Sequence, residues 1–229
     1  MTEETPGARY SGRTVVVVGA NGALGGGLAA AFAAEGATVT GLDRHEPADR
    51  HRLDGVTYRA VDVLDDAALA AVFDDGPPPW AVVNTVGGFA GRTPLAELDP
   101  AVLTQQLQLN LVSAALVSKH ALRRMSAAGE GRIVHTASRA ATVTAGNGFA
   151  YSVSKLGVLH LVSMAAAEVR GTGITVNCVV PSLIDTPANR AAMPDADYTS
   201  WPKIPDIARA YLYLASPGAR LTSGAAVPV

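Results

Sequence analysis

One junction near the start of the chain constrains the fold more than any other feature. Thr14-Val-Val-Val-Val18 is an unbroken β-branched run, and it opens directly into Gly19-Ala-Asn-Gly22-Ala-Leu-Gly25. A run without polar alternation suits a central parallel strand covered on both faces. A helical pattern, Ala23 to Glu35, follows at once and stops at Gly36, a good helix terminator. Strand, glycine turn and helix in immediate succession form the first half of a βαβ unit.

The alternation continues. Strands are expected at Thr38–Leu42, Val56–Val61, Ala81–Val83, Arg132–His135, Ile174–Val180 and Ala225–Val227. Helices are expected at Asp65–Phe73, where an acidic first turn suits the helix dipole, and at Ala101–Ala127, Ala150–Arg170 and Ile207–Ala215. The proline-rich stretch from Pro181 to Pro205 has little periodicity and reads as a loop or lid. Strict alternation means crossover connections, hence a doubly wound α/β Rossmann fold. A central parallel sheet of about seven strands with helices on both faces is expected. At 229 residues, with no repeat or linker, the chain is expected to form one domain, residues 1–229. Residues 1–12 would be a flexible tail and residues 182–203 a substrate lid.

Charge and composition exclude several functions. A net charge of -2 and the lack of any basic cluster argue against a nucleic-acid or anionic-membrane partner. The polar start, with Glu3 and Glu4, lacks the basic and apolar stretches of a signal peptide and fits a cytoplasmic protein. No uninterrupted apolar run reaches the roughly 20 residues of a membrane span. The single cysteine, Cys178, rules out an intrachain disulfide and a cysteine-based zinc site. The five histidines show no ligand spacing, so no metal site is expected.

Two regions carry chemistry. At the glycine turn, backbone N–H groups can approach a pyrophosphate at the helix N-terminus. Asp43, 24 residues after Gly19, ends the second strand, where a carboxylate accepts from adenine-ribose hydroxyls and repels a 2′-phosphate. That favours NAD(H). The adjacent Arg44 partly offsets the repulsion and keeps NADP(H) as the alternative. Asp62, followed by Val63, ends the third strand and is either an adenine contact or a plain strand cap.

At the second region, Tyr151-Ser-Val-Ser-Lys155 sets a phenol and an amine four residues apart on one helix face. A free tyrosine, with a pKa near 10, is a poor acid–base catalyst at neutral pH, and a nearby ammonium is expected to lower it. Ser138, 13 residues earlier at a strand end, can donate to a substrate oxygen or simply cap its own loop. Asn110 interrupts a helical pattern, where asparagine is unfavourable on propensity. It is read as a ligand for a backbone group or a proton-relaying water, or else as ordinary helix surface.

Taken together, these residues resemble the short-chain dehydrogenase/reductase family over nearly the whole chain. The matching pieces are Gly19–Gly25, Asp43, Asp62, Asn84-Thr-Val-Gly-Gly88, Asn110, Ser138, Tyr151, Lys155 and Pro181-Ser182. The resemblance implies hydride transfer between a nicotinamide cofactor and a small ketone or alcohol. It also implies an Asn110–Ser138–Tyr151–Lys155 tetrad with Tyr151 as general acid/base. The cofactor would meet Gly19, Asn21, Gly22, Ala23, Leu24, Gly25, Asp43, Arg44, Asp62 and Val63. It would further meet Asn84 on the adenosine side, Val86, Gly87, Tyr151, Lys155 and Pro181, with Ile184 and Thr186 at the nicotinamide carboxamide or phosphate. Homodimers or homotetramers built on the two long helices are implied as well.

The chain departs from the family pattern in three places. Gly22 gives G-x-x-G-x-x-G spacing more like the family's extended members, Ser182 follows Pro181 where glycine is usual, and Val229 stands where members commonly continue into Asp-Gly-Gly. A narrower likeness also exists: Val86–Gly91, Asp185–Arg190 and Met193–Trp201 are similar to dihydropteridine reductases, which act on a quinonoid dihydropterin with NADH and lack the serine. Phe89, Tyr198 and Trp201 are candidates for an aromatic wall against a planar substrate. A different class, an NAD(H)-binding sensor without turnover, would have no need of the tetrad.

Overall fold

A computed structural model describes residues 8–143 and 146–229. Seven parallel strands form one sheet in the order β3-β2-β1-β4-β5-β6-β7. They are β1 (Thr14–Val18), β2 (Thr38–Asp43), β3 (Val56–Ala60), β4 (Ala81–Asn84), β5 (Glu130–Thr136), β6 (Gly173–Val180) and β7 (Ala226–Pro228). The doubly wound sheet expected from the sequence is therefore present. The strand order reverses between β1 and β4, so the crevice for a ligand lies beyond the carboxyl ends of these strands.

The β-branched run of β1 is buried on both faces. Val16 and Val18 join a core with the helices α2 (Asp66–Asp74), α4 (Ser113–Ala128) and α5 (Phe149–Glu168). Val15 and Val17 join a second core with α1 (Ala23–Ala34) and, far along the chain, α7 (Ile204–Leu214). Fully burying a side chain such as Leu28, Phe32 or Leu214 contributes about 1.5–3 kcal/mol. Two such layers hold the strand ends rigidly. Helices α1 and α7 meet so closely that a Cβ on Gly27 would lie 2.3 Å from Ile204 Cγ2.

Several expectations need correction. Residues 1–7 of the expected tail lie outside the described residues, but Tyr10 is no tail residue: it is fully buried edge-to-face on Phe32, 5.0 Å between centroids. Its N–H donates to Glu35 O at 2.9 Å, and its hydroxyl donates to the Leu212 carbonyl. An aromatic ring that reaches the groove between α1 and α7 gains more from burial than it loses in chain entropy. The lid also has regular structure, because α6 (Pro187–Ala192) and a 3₁₀ turn at Tyr198–Ser200 lie within it. Thr186 caps α6 by accepting from Asn189 N–H at 3.2 Å, with Pro187 preset at the first helical position.

The long helix expected from Ala101 is not uniform. It runs as α3 (Pro100–Gln106), a π-helical segment at Leu107–Val112, and then α4. Helix α5 alone, among the described residues, has the length and apolarity of a membrane span. Here Val158, Val162 and Ala165 of α5 are buried in the core with Val176 and Cys178 of β6.

Candidate active site

The glycine turn is fixed from two strands. Gly19 and Ala20 N–H both donate to Leu42 O at the end of β2, at 2.8 and 3.2 Å. Thr85, just past β4, donates its hydroxyl to Val18 O at 2.8 Å. Gly25 is obligatory, since a Cβ there would lie 2.1 Å from Gly19 O. Asn21, Gly22 and Ala23 are exposed, Leu24 is half-buried, and no side chain caps the α1 N-terminus at Gly22. Uncapped N–H groups and a first turn without an acidic residue suit a pyrophosphate.

Asp43 is half-buried beside this turn, its Oδ2 accepting from Asn21 N–H at 3.0 Å and its Oδ1 from Arg44 N–H at 2.8 Å. Asn21 in turn donates to His45 O at 2.6 Å, tying the turn to the segment after β2. The Arg44 side chain is exposed. Asp62 is exposed and accepts from Leu64 N–H at 2.9 Å, the strand-cap alternative, while Val63 is buried in the core. Asn84 is also buried, with its amide turned toward His135 Nδ1 at 3.3 Å. It therefore shapes the pocket through its neighbours.

The residues expected to carry the chemistry meet at the ends of β4, β5 and β6. Asn110 lies inside the π-helical segment, where an extra residue per turn displaces it from the regular helix surface. Buried there, its Oδ1 accepts from Gly88 N–H at 3.0 Å. Its amide donates to Gly88 O and to Ser154 Oγ, each at 3.0 Å. Gln106 Oε1 lies 3.2 Å from the same amide. Lys155 is nearly buried and donates from Nζ to Thr136 O at 2.9 Å. Both groups press on one residue: a Cβ on Gly87 would lie 2.6 Å from Asn110 Oδ1 and 2.7 Å from Lys155 Nζ. Gly87 is itself exposed, so it forms a cradle open to the crevice on one side and lined by these two side chains on the other.

Electrostatics correct one expectation. Burial raises the Tyr151 phenol above its usual pKa, and the influence opposing it is a hydrogen bond from Ser138, not the charge of Lys155. The ammonium is turned to the β5 carbonyl, and burial brings Lys155 itself down to about 8, opposed by Cys178. Ser138 Oγ accepts from Ala140 N–H at 3.2 Å, which leaves its own proton for Tyr151 or a substrate oxygen.

The remaining candidates divide. Phe89 packs edge-on against Tyr151, 5.1 Å between centroids, and is 56% exposed, so its other surface faces open space. Tyr198 and Trp201 instead pair with each other at 4.8 Å. The Tyr198 hydroxyl donates to Met193 O at 2.9 Å and Trp201 is buried, so this pair holds the lid together. The three candidate rings thus divide between two pairs, Phe89 with Tyr151 and Tyr198 with Trp201. Pro181 is buried and its carbonyl accepts from Arg139 N–H at 3.0 Å, which ties the lid base to the Ser138 loop. Ile184 packs against the second core, and its carbonyl accepts from Asn189 Nδ2 at 2.8 Å.

Sequence reasoning missed Thr85, Gly88, Thr136, Ser154 and His135 as supports of the site. Thr136 and Gly88 act through backbone atoms, which carry no side-chain signal. His135 did carry one, as a polar residue at a position where β5 should face the core.

A family model described as "Enoyl-(Acyl carrier protein) reductase" matches residues 19–229. The chain belongs to the short-chain dehydrogenase/reductase family. Among its relatives is the cis-4-hydroxycyclohexanecarboxylate dehydrogenase of Sinomonas cyclohexanicum, 34% identical over 97% of both chains. A short-chain dehydrogenase/reductase structure from Burkholderia xenovorans superposes with a TM-score of 0.88 at 29% identity, covering 97% of this chain and 96% of the other. A short chain dehydrogenase from Escherichia coli CFT073, solved in complex with NADPH, shares the fold with a TM-score of 0.88 at 23% identity, covering 98% and 99%. As a member of this family of nicotinamide-dependent enzymes, the chain is an oxidoreductase acting on alcohol or ketone groups.

Proposed function

We propose that the protein interconverts a secondary alcohol and a ketone with NAD(H) as the preferred cofactor, using Tyr151 as the proton-transferring residue. The convergence of Ser138 on Tyr151, with Asn110 and Lys155 on Gly87, carries this reading. The bound nicotinamide supplies the hydride acceptor or donor.

In the reducing direction Tyr151, held in its protonated form by burial, gives its phenolic proton to the carbonyl oxygen as that carbon gains the hydride. Ser138 donates a hydrogen bond to the same oxygen and stabilises the charge that develops there. In the oxidising direction Tyr151 must first lose its phenolic proton to solvent; as the phenolate, its Oη then takes the hydroxyl proton while the carbinol carbon gives up its hydride. Lys155 has donors beyond the one used on Thr136 O, and these suit the hydroxyls of a ribose. Asn110 fixes Gly88 and thereby the floor beneath them. The Asp43 carboxylate beside the glycine turn supports the NAD(H) preference, since such a group would accept from ribose hydroxyls and repel a 2′-phosphate.

The relative that acts on a hydroxycyclohexanecarboxylate supports a cyclic secondary alcohol as the first substrate to try. We further infer a homodimer or homotetramer through α4 and α5, since Leu156 and Met164 on α5 are large, apolar and more than half exposed. The test is a panel of cyclic and linear secondary alcohols, their ketones and a quinonoid dihydropterin, followed by NADH absorbance. Turnover of the alcohols is expected. Turnover of the dihydropterin alone would replace the proposal with that activity, and NADH binding without any turnover would leave a sensor.

A further inference from the structure

His135 is a fully buried imidazole in the middle of the sheet, and the direction of each hydrogen bond around it can be assigned. Ser118 donates its hydroxyl proton to Ala114 O at 2.8 Å, so its oxygen accepts from His135 Nε2–H at 2.8 Å. His135 is then the neutral Nε2–H tautomer, and its bare Nδ1 accepts from the Asn84 amide at 3.3 Å. Asn84 Oδ1 is left to accept from Val86 N–H at 3.1 Å. The chain of donors is complete from the bend after β4 to α4.

The orientation of the Asn84 amide is set at its two ends, by His135 Nδ1 as acceptor and by Val86 N–H as donor. Thr136 donates to Asn84 O at 2.8 Å from the opposite side of the sheet, but this holds only the backbone. Without an acceptor at His135 Nδ1, the Val86 N–H alone distinguishes the two ends of the Asn84 amide, and the Nδ2 end is left unpaired in the core. The reversed amide would point a donor at Val86 N–H. What Val86 leads into matters chemically, because Gly87 rests against Lys155 and Asn110 and both backbone polar atoms of Gly88 bond to Asn110. We propose that His135 is a positioning residue, whose Nδ1 orients Asn84 and so sets the Val86–Gly88 bend on which Lys155 and Asn110 rest. The inference builds on the proposed reading of this crevice as the nicotinamide site.

Two substitutions separate this role from simple core packing. In His135→Asn, Oδ1 takes the place of Nδ1 and keeps an acceptor for Asn84, while the bond to Ser118 is lost. In His135→Gln the longer side chain reaches Ser118 and leaves Asn84 without its acceptor. The readouts are amide exchange at Val86, NADH affinity by fluorescence, kcat and KM with the best substrate of the panel, and the thermal midpoint. Both variants should lose stability to a similar degree. His135→Asn should restore a protected Val86 amide and tight NADH binding, whereas His135→Gln should lose about tenfold in kcat/KM, the worth of one hydrogen bond. Val86 exchange should rise with it. Equal exchange and equal affinity in the two variants, or the reverse order, would overturn the assignment. If the unaltered protein binds no NADH, the reading of the crevice fails, and Val86 exchange still decides the role of His135.

Discussion

Acid should unfold this protein earlier than its carboxylates alone would require, through His135. The perturbation is a fall in pH from 7.5 to 5. Burial, reinforced by the charge of Lys155, lowers the His135 pKa from 6.5 to about 4 in the folded chain. The geometry agrees, since a proton on Nδ1 would face the amide donor of Asn84, and neighbouring Cys178 is held neutral with its thiol raised to about 12. Because the folded value is the depressed one, the unfolded chain binds the extra proton first. Stability is therefore intact above pH 6.5 and is lost progressively as pH falls toward 4. Each pH unit inside that window costs about 1.4 kcal/mol, so roughly 2 kcal/mol disappears between pH 6.5 and 5 and about 3 kcal/mol by pH 4. The window above pH 5 is the informative one, because the shifted carboxylates Asp66, Asp185 and Asp197 have lowered values and titrate below it. Urea unfolding at half-unit intervals should show this slope in the parent chain and a flatter profile in His135→Asn. The reasoning is refuted if both profiles coincide from pH 7.5 to 5, or if the His135 ring proton titrates near 6.5 by NMR in the folded protein.

Other outcomes follow from the same structure. Tyr151→Phe should leave NADH binding unchanged and lower kcat by about 10²–10⁴, the range for a lost general acid; unchanged turnover would end the assignment. In Gly87→Ala the new carbon must displace Asn110 and Lys155 by several tenths of an ångström, so kcat/KM should fall by about 10²-fold while the thermal midpoint moves little; wild-type kinetics would contradict the cradle. Asp43→Asn keeps an acceptor for Asn21 N–H and removes the charge, and the NADPH-to-NADH ratio of kcat/KM should rise about tenfold, with an unchanged ratio removing Asp43 from that role. NADH affinity measured against pH should decline as pH rises through about 8, where Lys155 loses its proton in the free protein; a flat profile from pH 7 to 9 would separate Lys155 from cofactor binding.

Much of the fold was readable because its signals are local and redundant. β1 could be placed as a central strand from four consecutive valines, and the glycine turn, Asp43 and the Tyr151–Lys155 pair all sit at positions fixed by the strands they follow. The lid helix α6 was missed, although Thr186-Pro187, an N-cap followed by a first-turn proline, is a signal that could have found it. What else escaped depends on tertiary context. The π-helical segment has no pattern of its own beyond an asparagine where a helix does not favour one. The expected effect of Lys155 on Tyr151 followed from i,i+4 spacing, but spacing cannot reveal that the ammonium is bound to the Thr136 carbonyl. Spacing likewise did not reveal that Tyr198 and Trp201, three residues apart, pack edge-on against each other while Phe89 packs on Tyr151.

The close seat of Ile204 on Gly27 has a mechanical consequence. Ile204 is the first residue after the lid, and Gly27 belongs to the helix whose opening turn would receive the pyrophosphate. The far anchor of the lid is thereby bolted to the phosphate end of the crevice. If residues 182–203 open as a lid, the pivot must lie within them, and the residues proposed to hold the cofactor would stay still while a substrate entered or left.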